Sequence, residues 1–168
     1  MAALARIAER GVTQMTRRSM LLGALGVFAM KRADAADQRY EVEKSEEEWR
    51  KQLSPAQYHV LREHGTERAG SSPLVNEHRP GTFACAGCGL PLFSSETKFE
   101  SGTGWPSFWS PLENSVGTTK DRSLLMVRTE VHCRRCGGHL GHVFEDGPPP
   151  THLRYCMNGV AMTFAPKS

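Results

Sequence analysis

Two short stretches early in the chain combine helical start signals with apolar residues at helical spacing. In Ser45-Glu46-Glu47-Glu48, the serine hydroxyl and the last glutamate are placed to form a capping box, and Trp49 and Leu53 then lie four residues apart on one face. Ser54-Pro55-Ala56-Gln57 repeats the signal with proline at the first helical position, and Gly65 is a typical stop. The pattern predicts two short helices, over about residues 45–53 and 55–64.

After Gly65 the helical spacing is lost, and short segments of β-type residues alternate with glycine and proline. These segments are Thr82-Phe83, Leu90–Phe93, Leu124–Val131, His142–Phe144, Leu153–Met157 and Val160–Phe164. Short strands separated by turn residues indicate an antiparallel β domain. The prolines of Gly147-Pro148-Pro149-Pro150 have no amide hydrogen for a strand ladder, so we expect a loop there. The sequence therefore predicts a mainly β fold with short N-terminal helices.

The first 35 residues follow a different pattern, that of an export signal. The apolar run Met20–Met30 has the length of a signal-peptide core and is too short to span a bilayer. Ala33-Asp34-Ala35 offers a cleavage site after it, and Arg17-Arg18 before it resembles a twin-arginine signal. We expect a cleavable signal at residues 1–35, a periplasmic protein and a mature domain at 36–168. The alternative is a cytosolic protein with an incidental basic and apolar leader.

Removal of this leader changes the meaning of the net charge. The chain has 168 residues and a formal charge of +3, from 21 basic and 18 acidic side chains. Residues 1–35 hold six of the basic and two of the acidic residues. The mature domain therefore keeps 15 basic and 16 acidic residues, a net charge of −1. Such a domain has no net attraction for nucleic-acid phosphates. We expect a monomer with no nucleic-acid partner and no stable membrane association after cleavage.

Four of the five cysteines form two matching pairs, Cys85-Ala-Gly-Cys88-Gly89 and Cys133-Arg-Arg-Cys136-Gly137. Each pair brings two sulfurs to one side of a tight turn, and the glycine that follows permits a positive φ. Four such sulfurs at tetrahedral corners suit one structural Zn²⁺. In an oxidising compartment, a redox dithiol or a disulfide is the alternative. A thiol–disulfide oxidoreductase or a non-catalytic zinc-binding module are the corresponding alternative functions.

Cys156 is the cysteine that remains. On a strand it would share a face with Arg154 and Asn158, with Tyr155 and Met157 on the opposite face. A nearby guanidinium favours the nucleophilic thiolate. The alternative is that the free cysteine is a small buried apolar residue. The spacing alone does not decide between a nucleophile and a buried residue.

Other candidate residues lie in two further segments. His139-Leu-Gly-His142 places two imidazoles three residues apart, and Asp146 follows in a turn where it could orient one of them. Ordinary hydrogen-bonded histidines are the alternative. The aromatic loop Gly102–Trp109 is either a packed core turn or an indole wall for a small apolar or sulfur-bearing group.

Taken together in order, these motifs resemble the B-type peptide-methionine (R)-S-oxide reductases. The motifs are Cys85-x-x-Cys88, Ser101-Gly-Thr-Gly-Trp105-Pro-Ser-Phe108, Cys133-x-x-Cys136-Gly-Gly-His139-Leu-Gly-His142-Val-Phe and Arg154-Tyr-Cys156-Met-Asn158. The resemblance runs from about Ser45 to Phe164. It implies a pair of antiparallel sheets tied by a structural zinc site, with short N-terminal helices.

The resemblance also implies a role for each candidate residue. Cys156 matches the nucleophile, which attacks the sulfur of methionine-R-sulfoxide, releases methionine and is left as a sulfenic acid. Trp105, with Phe108 in the same loop, matches the substrate-binding wall. Protonation of the sulfoxide oxygen and orientation of the groups around it fall to the remaining set: His139, His142, Asn158, Asp146 and Arg154.

The chain departs from the commonest pattern of that family at one position. Many members have a resolving cysteine where this chain has Thr103, and a threonine cannot form a disulfide with Cys156. The resemblance therefore implies that a thioredoxin-like or other external thiol donor reduces the sulfenic acid directly. The expected substrates are proteins that contain methionine-R-sulfoxide.

Overall fold

The computed structural model describes residues 39–122 and 127–168. Two short helices come first, α1 at Glu46–Gln52 and α2 at Pro55–Glu63. Both begin with the capping boxes that the sequence predicts, because the N-cap serine of each exchanges hydrogen bonds with the residue three positions on. Both predicted helices are confirmed. None of the helices in the described ranges has the length and apolarity needed to cross a bilayer.

Nine strands follow in the described residues, numbered β1 to β9 in chain order. They are Gly81–Cys85, Pro91–Ser94, Lys98–Phe99, Ser107–Phe108, Val116–Asp121, Arg128–Cys133, His139–Phe144, Arg154–Met157 and Met162–Pro166. They form two antiparallel sheets, one in the order β2-β1-β9 and the other in the order β3-β4-β8-β7-β6-β5. The mainly β fold is confirmed, and the proline-rich segment lies between β7 and β8 as a loop.

The strand boundaries show where the hydrophobic pattern is informative. The expected strand at Leu124–Val131 overlaps β6, which begins at Arg128, and residues 124–126 of that expectation lie outside the described residues. The edge strand β5 was missed, because its sequence VGTTKD leaves its side chains half-buried or exposed and gives no apolar alternation. The predicted leader at residues 1–35 lies outside the described residues.

Both sheets contribute to one apolar core. Its centre is an aromatic group in which Phe108 stacks on Phe93 at 4.3 Å between ring centroids and meets Phe83 edge-on at 4.9 Å. Leu140 on β7 and Met157 on β8 are fully buried in the same core. The core fixes the inner face of β8, and its other face is left to the site described next.

Candidate active site and four-cysteine cluster

The two Cys-x-x-Cys motifs meet in space, one at the β1–β2 turn and the other at the β6–β7 turn. Each turn closes with a hydrogen bond from the following glycine to the carbonyl of the first cysteine, Gly89 to Cys85 at 2.8 Å and Gly137 to Cys133 at 2.9 Å. Both glycines have positive φ, 72° and 67°, which side chains rarely adopt. Since β1 and β6 belong to different sheets, the cluster ties the two sheets together.

The spacing of the sulfurs tests whether a metal fits between them. Cys85 and Cys136 are 3.7 Å apart at Sγ, Cys88 and Cys133 are 3.5 Å apart, and all four sulfurs lie within 4.8 Å of one another. Sulfurs ~2.3 Å from a tetrahedral zinc ion would be ~3.8 Å apart. All five cysteines are free thiols. The four-cysteine cluster therefore suits a metal such as zinc, and the disulfide alternative is not what the structure shows.

Cys156 lies at the middle of β8, in the six-stranded sheet. It is paired across strands with Ser107 of β4 on one side and with His142 of β7 on the other. A Cβ atom on Gly141 would lie 2.1 Å from the Cys156 carbonyl oxygen, so β7 can lie this close to β8 only with glycine there. The neighbouring Met157 points into the core and is fully buried, which confirms the predicted alternation of faces.

The Cys156 thiol opens into a small cavity of 140 Å³. Its lining comes from the segment after α2, the loop before β4, strands β6 and β7 and the residue after β8: Thr66, Trp105, Arg128, Gly141, His142, Phe144 and Asn158. The structure thus brings together Cys156, Trp105, His142 and Asn158, four of the residues singled out in the sequence. The buried-cysteine alternative is not supported, because the thiol is only partly buried and lines a cavity.

The protonation of this thiol is set by opposing effects. Burial raises the pKa of Cys156 above its ordinary value, whereas the Thr103 hydroxyl, 3.9 Å from Sγ, and the Arg154 guanidinium lower it. Burial is the largest of these effects. The guanidinium therefore acts in the predicted direction, but its effect is smaller than that of burial. At neutral pH the resting thiol carries its proton.

Asp146 does not orient an imidazole, which corrects the expectation from sequence. Its carboxylate accepts two hydrogen bonds of 2.8 Å from the Arg154 guanidinium. Both residues flank the β7–β8 loop, and adjacent charges of opposite sign at that loop pair with each other. This pairing also withdraws part of the positive charge from Cys156.

The carboxylates that do contact the histidines come from strands β5 and β6. Glu130 Oε1 lies 2.9 Å from His139 Nδ1, and Asp121 Oδ2 lies 2.9 Å from His142 Nε2. Sequence reasoning missed both. Glu130 carried a signal, because a carboxylate inside the predicted strand Leu124–Val131 needs a partner once it is buried. Asp121 ends a polar stretch that gave no such signal.

The two histidines occupy different places relative to the thiol. His142 lines the Cys156 cavity, and burial lowers its pKa more than Asp121 raises it, which favours the neutral imidazole. His139 is almost fully buried and lines a neighbouring polar cavity instead. The rings contact each other edge-on, with centroids 5.4 Å apart. His139 therefore contacts His142 but does not line the Cys156 cavity.

The two aromatic candidates lie in different environments. Trp105 lines the cavity, and its indole Nε1 donates to the Glu67 carbonyl oxygen at 3.2 Å. Phe108 is fully buried in the core, so its predicted role in substrate binding is wrong. The reason is strand alternation: Ser107 and Phe108 form β4, and adjacent residues of a strand face opposite sides.

Asn158 is held by backbone groups on both sides. Its Oδ1 accepts from the Glu67 amide and its Nδ2 donates to the Leu140 carbonyl, both at 3.0 Å. The Glu67 carboxylate in turn accepts from the Gly159 and Val160 amides, at 2.5 and 3.0 Å. Glu67, which sequence reasoning missed, thus connects Trp105, Asn158 and the turn after Cys156. No local motif marks such a long-range contact.

Comparison with known proteins places this arrangement in a family. Residues 53–166 match the model of the SelR domain. The chain is 56% identical over 126 residues to the peptide methionine sulfoxide reductase MsrB of Agrobacterium fabrum, covering 74% of this chain and 93% of that protein. It is 59% identical over 124 residues to the MsrB of Methanosarcina barkeri, covering 73% of this chain and 87% of that protein.

Among solved structures, the crystal structure of the Mis18 'Yippee-like' domain matches 54% of this chain and 99% of that chain, with 22% identity and a TM-score of 0.44. The family model and the two relatives carry the assignment. The chain belongs to the SelR-domain family, that of the MsrB-type peptide methionine sulfoxide reductases.

Proposed function

We propose that this protein reduces methionine-R-sulfoxide in peptides and proteins to methionine, with Cys156 as the nucleophile. Membership of the MsrB family supports the reaction, since the chain covers about nine-tenths of relatives that bear this name. The observation that carries the assignment to Cys156 is its position. It is the cysteine outside the four-cysteine cluster, and its thiol opens into a cavity walled by an indole.

The size of the cavity fits the tip of the substrate side chain. A volume of 140 Å³ corresponds to about four or five water-sized groups at ~30 Å³ each. The CH₃–S(=O)–CH₂ end of methionine sulfoxide has four. The peptide backbone would remain outside, which agrees with a protein-bound substrate. Trp105 would pack against the methyl group, because sulfur and its substituents pack favourably on aromatic rings.

The chemical step transfers the sulfoxide oxygen to Cys156. The Cys156 sulfur attacks the sulfoxide sulfur and forms an S–S bond, while the sulfoxide oxygen takes up the thiol proton. The oxygen then moves to the Cys156 sulfur as the substrate S–O bond and the new S–S bond break, so that methionine leaves with the electron pair of the S–S bond and the cysteine becomes a sulfenic acid. The protonated thiol brings the proton that the oxygen needs. His142, the cross-strand neighbour of Cys156 in the same cavity, is placed to move that proton, and Asp121 holds its Nε2.

The sulfenic acid then needs two thiol equivalents, which restore the Cys156 thiol and give a disulfide and water. Thr103 beside Cys156 cannot supply one of them. We therefore propose a thioredoxin-like or other external thiol donor, and one structural Zn²⁺ held by Cys85, Cys88, Cys133 and Cys136. A thiol–disulfide oxidoreductase would need a Cys-x-x-Cys pair outside the metal cluster, and both pairs belong to it.

Residues 1–35 form a cleavable twin-arginine-type signal in this proposal, and the mature protein acts in the periplasm. The order of the basic region, apolar run and cleavage motif supports it. Export after folding would let the metal bind in the reducing cytosol. N-terminal sequencing of the protein from the periplasmic fraction should give a start near Ala36.

The experiment that tests the function compares the two sulfoxide epimers in a peptide, with dithiothreitol as donor. The wild type should reduce the R epimer and leave the S epimer unchanged. The variant Cys156→Ser should lose this activity and keep its metal and fold. Full activity of that variant would reject Cys156 as the nucleophile.

A further inference from the structure

A second, polar cavity of 520 Å³ lies next to the one at Cys156. Thr66, Arg128 and His142 line both cavities. The mechanism above uses His142 and its partner Asp121 and leaves three other potential metal ligands of this cavity without a role. They are His64, which caps the end of α2, Glu130 on β6 and His139 on β7.

These three side chains converge on one oxygen atom. His139 Nδ1 lies 2.9 Å and His64 Nδ1 lies 3.5 Å from the same Oε1 of Glu130. The ligand atoms of all three lie within 4.8 Å of one another. Nitrogen and oxygen ligands ~2.0–2.1 Å from a tetrahedral zinc ion would be ~3.3 Å apart. The three groups are therefore already close to the spacing of a metal site.

Burial fixes two of these three side chains and leaves the third free to move. His139 is 2% exposed and Glu130 is 9% exposed, and each is held in the sheet. His139 Nε2 is buried and has no hydrogen-bond partner among the described residues. The His64 side chain is 65% exposed, so it can move to complete the site, and an ion can enter from solvent.

The donor set indicates the class of ion. Two imidazoles and a carboxylate suit a borderline divalent ion such as Zn²⁺, and three protein ligands leave a fourth position open. The same set lacks the thiolates that make the four-cysteine cluster a closed site. We propose that His64, Glu130 and His139 form a second, weaker Zn²⁺ site, and that filling it inhibits the reductase.

Inhibition follows from the position of the site. A bound ion would replace the His139–Glu130 hydrogen bond and shift the His139 ring, which contacts the ring of His142. Because His142 lines the Cys156 cavity, its displacement would slow the proton transfer at Cys156. This inhibitory part rests on the proposed function, whereas binding of the ion does not.

Equilibrium dialysis of the untagged, zinc-loaded protein against Zn²⁺ tests the binding. The wild type should take up a second equivalent. His64→Asn should bind it at least tenfold more weakly, because a ligand is lost while asparagine tolerates the left-handed conformation of residue 64 (φ 56°). His78→Asn is the matched control, since the His78 side chain is 66% exposed and also lies beside a glutamate. It should bind like the wild type.

Single-turnover reduction without added thiol tests the inhibition, since thiol donors bind zinc themselves. Zn²⁺ should slow the wild type and His78→Asn and leave His64→Asn at its uninhibited rate. Cys156→Ser should retain the second zinc. A wild type that binds only one zinc, an unchanged second affinity in His64→Asn, or loss of the second zinc in Cys156→Ser would overturn the site. Binding without slowing would overturn the inhibition alone.

Discussion

The hydroxyl oxygen of Thr103 lies 3.9 Å from the sulfur of Cys156, within contact distance of the proposed nucleophile. Thr103 is held there by a chain of hydroxyls, with Ser101 Oγ 2.8 Å from Thr103 Oγ1 and 2.7 Å from Ser107 Oγ. A side chain at position 103 is thus well placed to meet the Cys156 sulfur, but threonine cannot form a bond to it.

A cysteine at position 103 should therefore become a resolving residue. After one turnover without thiol, we expect the Thr103→Cys variant to contain a disulfide between positions 103 and 156, because the two side chains already meet. The wild type should contain none. Peptide mapping by mass spectrometry distinguishes the two, with Thr103→Ser as the matched control. Absence of the bond in Thr103→Cys would show that this loop does not reach the oxidised thiol.

The raised pKa of Cys156 predicts how the thiol reacts with alkylating reagents. Since only the thiolate reacts, and burial opposes its formation, labelling by iodoacetamide should rise with pH and reach its midpoint above the ~8.5 of a free cysteine. Arg154→Gln should move the midpoint still higher, because the guanidinium lowers this pKa. A cysteine peptide labelled under the same conditions is the reference. A Cys156 midpoint below that of the peptide would contradict this account.

Trp105 and Phe108 should respond differently to truncation. Trp105→Ala removes a cavity wall, so we expect KM for a sulfoxide peptide to rise about tenfold, from a loss of ~1–1.5 kcal/mol of contact with the substrate. Phe108→Ala leaves a hole in the aromatic core and should lower the free energy of unfolding by about 3–5 kcal/mol. Steady-state kinetics and urea unfolding of both variants separate the roles. Similar unfolding losses in both would mean that Trp105 is structural.

The four-cysteine cluster predicts that loss of the metal and loss of the folded structure occur together. Cys85→Ser and Cys136→Ser should lose bound zinc and unfold at a much lower temperature, because the cluster joins the two sheets. Cys156→Ser provides the control, since it removes a thiol outside the cluster. Zinc analysis and thermal unfolding report both quantities. A metal-free protein with the stability of the wild type would contradict a structural metal.

Local signals predicted the helices and the four-cysteine cluster well. The capping boxes at Ser45 and Ser54 depend on contacts three residues apart. A Cys-x-x-Cys turn likewise brings together two sulfurs whose residues are only three positions apart. The position of Cys156 on its strand followed from alternation alone. These features are determined within a few residues, so the sequence displays them directly.

The contacts that orient the site come from residues far apart in the chain. Asp121 meets His142 across 21 positions, and the Glu67 carboxylate meets the Gly159 amide across 92. Asp146 follows His142 by only four positions, yet its carboxylate pairs with the Arg154 guanidinium and not with an imidazole. Phe108 shared a motif with Trp105 and was assigned to the site, because the motif did not show which face of β4 it occupies.

The central claim is that Cys156 takes the oxygen from methionine-R-sulfoxide, and a single turnover tests it most directly. Enzyme without any thiol is mixed with an excess of the R-sulfoxide peptide, and the reduced peptide and the sulfenic acid on Cys156 are both quantified. The account predicts one equivalent of each per chain, none of either with the S epimer, and none with Cys156→Ser. One equivalent of reduced peptide from Cys156→Ser, or reduction in the wild type without oxidation of Cys156, would contradict it.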